Sequence, residues 1–94
     1  MEMYNPPHPG ETLKELYLTE NKITITELAL KTGISRKHLS NIINAKVPIT
    51  TEVALKLAKC FNTSAEVWLK EQLVYDLWQA KQTVNLDNVE VIAM

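Results

Sequence analysis

Cysteine, glycine and phenylalanine are scarce here, with one, two and one of them in 94 residues. The lone Cys60 excludes an intramolecular disulfide, and its place in an apolar helical pattern predicts a small core residue. Among Cys60, His8 and His38 no pair has ligand spacing, so no metal is expected. Two glycines leave little from which to build a phosphate cradle. No Cys/His or Ser/His/Asp arrangement and no carboxylate pair stands out, so neither an enzyme nor a cofactor is expected. No stretch approaches the length of a bilayer span, and no membrane partner is expected. The opening MEMYNPPHPGE lacks a basic region followed by an apolar run. A signal peptide is therefore not expected, and the cytoplasm is the expected location.

An excess of either charge is also missing, since the formal net charge is -1. That argues against a chain that holds nucleic acid by bulk charge. The distribution is less neutral than the sum. Residues 22–46 hold Lys22, Lys31, Arg36, Lys37 and Lys46 against Glu27 alone, whereas residues 1–20 hold Glu2, Glu11, Glu15 and Glu20 against Lys14. Positive charge gathers around one segment, the footprint of a small DNA-binding module.

What is present is helical periodicity with capping residues. The chain divides into an arm (1–8), a helical domain (9–81) and a tail (82–94). Pro9 suits a first helical position, and helix 1 is expected from Pro9 to Glu20 with Leu13, Leu16 and Tyr17 inward and Asn21 closing it. Thr24 and Glu27 read as a capping box for a second helix that buries Ile25, Leu28 and Ala29. Gly33 ends it, Ile34 plugs the turn, and Ser35 caps a third helix. Helix, short glycine turn, helix over residues 24–45 is the spacing of a helix-turn-helix. Thr50 or Thr51 opens a fourth helix that buries Val53, Ala54, Leu57, Ala58 and Phe61, and Asn62 terminates it. Thr63 and Glu66 read as another capping box. A fifth helix, about 65–81, is expected to turn Trp68, Leu69, Leu73 and Leu77 inward, with Trp78 suited to core or interface alike. In the tail, Val89-Glu90-Val91 alternates, which fits a short strand or a loose terminus equally. The fold class is all-α, a compact five-helix domain.

The third helix, SRKHLSNIINAK over residues 35–46, is the one the others frame. Leu39, Ile42 and Ile43 share a core face. Lys37, Asn41 and Asn44 fall opposite, with Ser40 and His38 beside them and Arg36 nearer the edge. This outer face carries no acid. Asn pairs with adenine, Lys donates to guanine, and Ser meets a base or a phosphate. A plain polar surface helix would share the capping and periodicity; the local positive charge separates the two readings.

ITITELALKTGISRKHLSNIINAK resembles the helix-turn-helix of Cro/C1-type repressors, the XRE family, whose fold is lambda-repressor-like. HPGETLKE, TTEVALKLAKCFNTSAEVWL and EQLVYDLWQA are similar to a narrower subgroup, the HigA antitoxins, also called virulence-associated protein I. The resemblance covers about residues 8–81. It implies a homodimer that represses its own operon by binding palindromic operator DNA and neutralises a RelE-like, mRNA-cleaving toxin. It also implies a DNA-binding set in which Lys37, Asn41 and Ser40 meet base edges while Ser35, Arg36, Asn44, Lys46 and Thr50 touch phosphate. Ile25, Ala45 and Asn62 depart from the pattern, standing where Gln, Gly and Gly are common. Two other readings stay open at this level: a stand-alone XRE-type regulator without a toxin, and a helical interaction module that has lost DNA binding.

Overall fold

A computed structural model describes residues 5–93. His8, in extended backbone, caps the first helix. Its Nδ1 accepts from Gly10 N at 2.9 Å, and its own N–H donates to Glu11 Oε2 at 3.1 Å, a reciprocal capping box. Pro6 and His8 are buried, so the described part of the arm is packed.

The first helix, α1, spans Pro9–Thr12 and continues as a π-helix over Leu13–Thr19. The wider i→i+5 turn brings residues five apart toward one face. Leu13 and Leu18 are consequently buried, while Leu16, expected inward from the α-helical period, is 60% exposed. Lys22, at φ 55, takes the left-handed conformation expected of Asn21. The Asn21 amide instead donates to the Tyr17 carbonyl at 2.9 Å.

Helices α2 (Ile25–Thr32), α3 (Arg36–Ile43), α4 (Thr51–Phe61) and α5 (Ala65–Thr83) follow, and the described residues contain no strand. Thr24, Ser35 and Thr50 cap α2, α3 and α4 by accepting from Glu27, His38 and Val53 amides. Ser64, rather than Thr63, caps α5, accepting from Glu66 N at 3.1 Å. Thr63 is engaged elsewhere: its hydroxyl accepts from Trp68 Nε1 at 3.1 Å. Asn62 closes α4 in the left-handed conformation at φ 55.

One core joins the helices, with Leu13, Leu28, Leu39, Ile42, Leu57 and Trp68 at its centre. Tyr17 lies between Phe61 and Trp68, with ring centroids 4.6 and 5.2 Å away. Cys60, expected in the core, is exposed beside Lys56 and Lys59. Leu73 and Leu77, also expected inward, are 63% and 51% exposed. At about 100° per residue, Leu73 is turned some 140° from Trp68. Gln72, four residues after Trp68, takes the inward place and is buried. Trp78 is half-buried.

The tail forms no strand over the described residues. Asn85 Oδ1 accepts from Asp87 N at 2.8 Å and Val89 N donates to the Leu86 carbonyl at 3.0 Å, folding a turn in place of the strand that was one of the two readings. Val91 and Ile92 stand exposed. No described helix is long and apolar enough to cross a membrane.

Candidate nucleic-acid interface

Thr32, Gly33 and Ile34 set the angle between α2 and α3. The Thr32 hydroxyl donates to the Leu28 carbonyl at 2.7 Å and accepts from Ile34 N at 3.2 Å. Gly33 sits at φ 77, and an added Cβ would meet nothing within 4 Å. Only the backbone conformation, not crowding, calls for glycine there. The buried Ile34 pins the turn to the core.

Along α3 the two faces separate as the period predicts. Leu39 and Ile42 are fully buried, each worth about 1.5–3 kcal/mol. Arg36, Lys37 and Asn44 are exposed, and Ser40 and Asn41 are half-buried. Asn44 Nδ2 donates to the Ser40 carbonyl at 2.9 Å and lies 3.5 Å from the Ser40 hydroxyl. The Oδ1 of Asn44 is the acceptor it can offer to a ligand.

Backbone bonds also close the end of α3. Ala45 N donates to the Ile42 carbonyl at 3.0 Å and Lys46 N to the Asn41 carbonyl at 2.8 Å. These are the paired bonds of a Schellman motif, with Ala45 at φ 58 in the left-handed place usually held by Gly. The expected departure from the family pattern is therefore one of residue and not of conformation.

The eight residues singled out from sequence lie along α3 and at its two ends. Ser35 and Thr50 line one shallow depression with His38, Glu52 and Lys56, between the starts of α3 and α4. Their oxygens serve as caps, which leaves each hydroxyl hydrogen free to donate to an anion. Glu52 in that depression is paired with Lys56 at 2.9 Å. Lys46 lies at the other end of α3, on the turn that borders a cleft with His8, Gln72, Tyr75 and Asp76. Arg36, Lys37, Ser40, Asn41 and Asn44 span the distance between.

That cleft was not found from sequence. Gln72 Oε1 accepts from Ile49 N at 2.7 Å, and Gln72 Nε2 donates to Asp76 Oδ1 at 2.9 Å. His8 meets the Tyr75 ring edge-on, with centroids 4.9 Å apart. Burial pulls the imidazole's pKa below its ordinary value, opposed by Asp76, Glu11, Glu71 and a hydrogen bond to the Val47 backbone. Since Nδ1 accepts from Gly10, the neutral ring carries its hydrogen on Nε2. A polar residue inside a helix face gives no periodic signal, so Gln72 was invisible to pattern reading. Among the described residues no three His, Cys, Asp or Glu side chains gather as a metal site would.

A family model described as helix-turn-helix matches residues 13–68. Virulence-associated protein A of Dichelobacter nodosus is 50% identical over 76 residues, covering 80% of this chain and 74% of that one. Antitoxin HigA-1 of Vibrio cholerae is 40% identical over 76 residues, covering 81% of this chain and 71% of that one. Among solved structures, the antitoxin HigA of Pseudomonas aeruginosa, determined with the higBA promoter, superposes with a TM-score of 0.82 at 26% identity. That match covers 93% of this chain and 99% of the other.

Proposed function

Because this chain belongs to the helix-turn-helix family of the HigA antitoxins and virulence-associated proteins, we propose that it is a dimeric repressor of its own operon and the antitoxin of a RelE-like, mRNA-cleaving toxin. The observation that carries the reading is the acid-free outer face of α3, accessible at Lys37 and Asn44 above a fully buried Leu39 and Ile42. An α-helix fits the major groove, and short amide and cationic side chains match base edges there.

Lys37, Asn41 and Ser40 are assigned to base edges. Ser35, Arg36, Asn44, Lys46 and Thr50 are assigned to phosphate and set the register. The caps at Ser35 and Thr50 suit this division, because each places a hydroxyl beside the amides that open a helix. In the dimer the two α3 helices would lie one DNA turn apart, roughly 34 Å.

The dimer surface is assigned to the outer face of α5. Val67, Leu73, Val74 and Leu77 are exposed there, a run of apolar side chains on one side of the helix. Tyr75, on the same helix, packs edge-on against His8. For the toxin, the acidic side of α1 supports contact with a basic nuclease through Glu15 and Glu20, both exposed. Glu11 is tied into the His8 cap.

The deciding experiment is a mobility-shift titration with DNA from upstream of the gene at two salt concentrations. Specific binding that weakens steeply with salt supports the repressor role. Equal binding to unrelated duplex, or none, rejects it. Co-expression with a neighbouring basic reading frame tests the antitoxin role: rescue of growth supports it, and continued toxicity rejects it.

A further inference from the structure

We infer that Gln72 and His8 are positioning residues for DNA binding, holding from outside the interface the turn that presents Lys46. The inference rests on the reading that α3 and Lys46 meet DNA. The turn leaves α3 through a left-handed Ala45, and its own backbone bonds reach only to Lys46. Beyond that point other elements hold it.

Three anchors bracket Lys46. Before it, the Ile42 carbonyl lies against Gly10, where any side-chain carbon would overlap it. Just after it, Val47 shares a cleft wall with the buried His8 imidazole, whose Nδ1 also holds the Gly10 amide. Two residues further, Gln72 Oε1 takes the Ile49 amide at 2.7 Å, across 23 residues of sequence. Gln72 is 5% exposed and His8 2%, so neither touches a ligand at the surface.

The amide of Gln72 is oriented from behind. Asp76 Oδ1 accepts from its Nε2 at 2.9 Å, which points Oε1 at Ile49. A carboxylate can only accept here, so the Gln72 amide cannot turn over without facing Asp76 with its own oxygen. Ile49 is itself buried, and its amide has no water to fall back on once Gln72 is removed. The turn would then shift to find a partner, and Lys46 would move with it. This couples α5 to the DNA-facing end of α3.

A double-mutant cycle tests it, read as affinity for a duplex carrying the upstream operator. Gln72→Leu, which fills the space without an acceptor, is expected to weaken operator binding about tenfold while circular dichroism at 25 °C stays native. Lys46→Ala is expected to weaken wild type on all sequences but to add little in the Gln72→Leu background, because the lysine is already displaced. The exchange Gln72→Glu with Asp76→Asn keeps an acceptor for the Ile49 amide and reverses donor and acceptor only in the bond between positions 72 and 76, and is expected to restore affinity. Should Gln72→Leu fail to fold, Gln72→Asn, one methylene too short to reach Ile49, gives the same test. Unchanged affinity in the Gln72 variant, or a Lys46→Ala effect of full size in both backgrounds, overturns the inference while wild-type binding keeps the repressor reading intact. Wild type that ignores the operator removes both.

Discussion

Gly10 lies against the carbonyl of Ile42, so the start of α1 and the end of α3 meet backbone to backbone. A Cβ at position 10 would overlap that oxygen, and neither partner is the flexible end of a side chain. Gly10→Ala is therefore expected to destabilise by about 1–3 kcal/mol, the usual range for overpacking. Urea unfolding checks the stability. A variant as stable as wild type would show that the helices separate at little cost.

Ala45 takes a left-handed conformation at φ 58 that favours glycine. Ala45→Gly should stabilise the protein by about 1 kcal/mol, from relief of the Cβ contact less the entropy of a freer unfolded chain. The check is the urea midpoint at unchanged slope. A lower midpoint would mean that the turn does not hold this conformation in solution.

His8 must be neutral to accept from Gly10, and burial lowers its pKa from 6.5. The unfolded chain binds the proton more readily than the folded one. Stability tied to His8 is thus complete above about pH 6.5 and is lost as pH falls through the lower folded value. Melting temperatures measured from pH 8 down to 5 should fall across the acid part of that range. His8→Asn keeps an acceptor for the Gly10 amide and should flatten the slope. An equal slope in both proteins would assign the titration to another group.

Leu73 and Leu77 are the exposed leucines of α5 and are assigned to the dimer. Changing both to Ser should leave the melting temperature of the single domain nearly unchanged while shifting sedimentation to the monomer. Operator affinity should fall at least tenfold, since one α3 then binds without its neighbour. A double variant that remains a dimer places the interface elsewhere.

The parts of this molecule legible in its sequence are those governed by local rules. Ser35, Thr24 and Thr50 cap as their side chains dictate, and Leu39, Ile42, Leu57 and Ala58 follow a 3.6-residue period into the core. Misplacements arose where a local rule had a rival. The π-helical turns of α1 exchanged Leu16 for Leu18 at the core, because a period of 3.6 no longer applied. Ser64 displaced the neighbouring Thr63, a candidate of near-equal capping chemistry, while Lys22 took the left-handed place beside Asn21, whose amide bonds the Tyr17 carbonyl instead. Gln72 is inward because a main-chain amide far along the sequence needs its oxygen, a demand no pattern of apolar residues records. His8 was hidden in the same way, since its partners lie on α1, α5 and the turn after α3.

The most direct test of the account is the affinity of Asn41→Ala for operator and for scrambled duplex at one salt concentration. Asn41 is half-buried on the outer side of α3, where it can reach a base edge without supporting the core. A loss of about 1–3 kcal/mol on the operator, with no change on scrambled DNA, is the predicted result. Equal affinity of variant and wild type for the operator would contradict the claim that this face of α3 reads sequence.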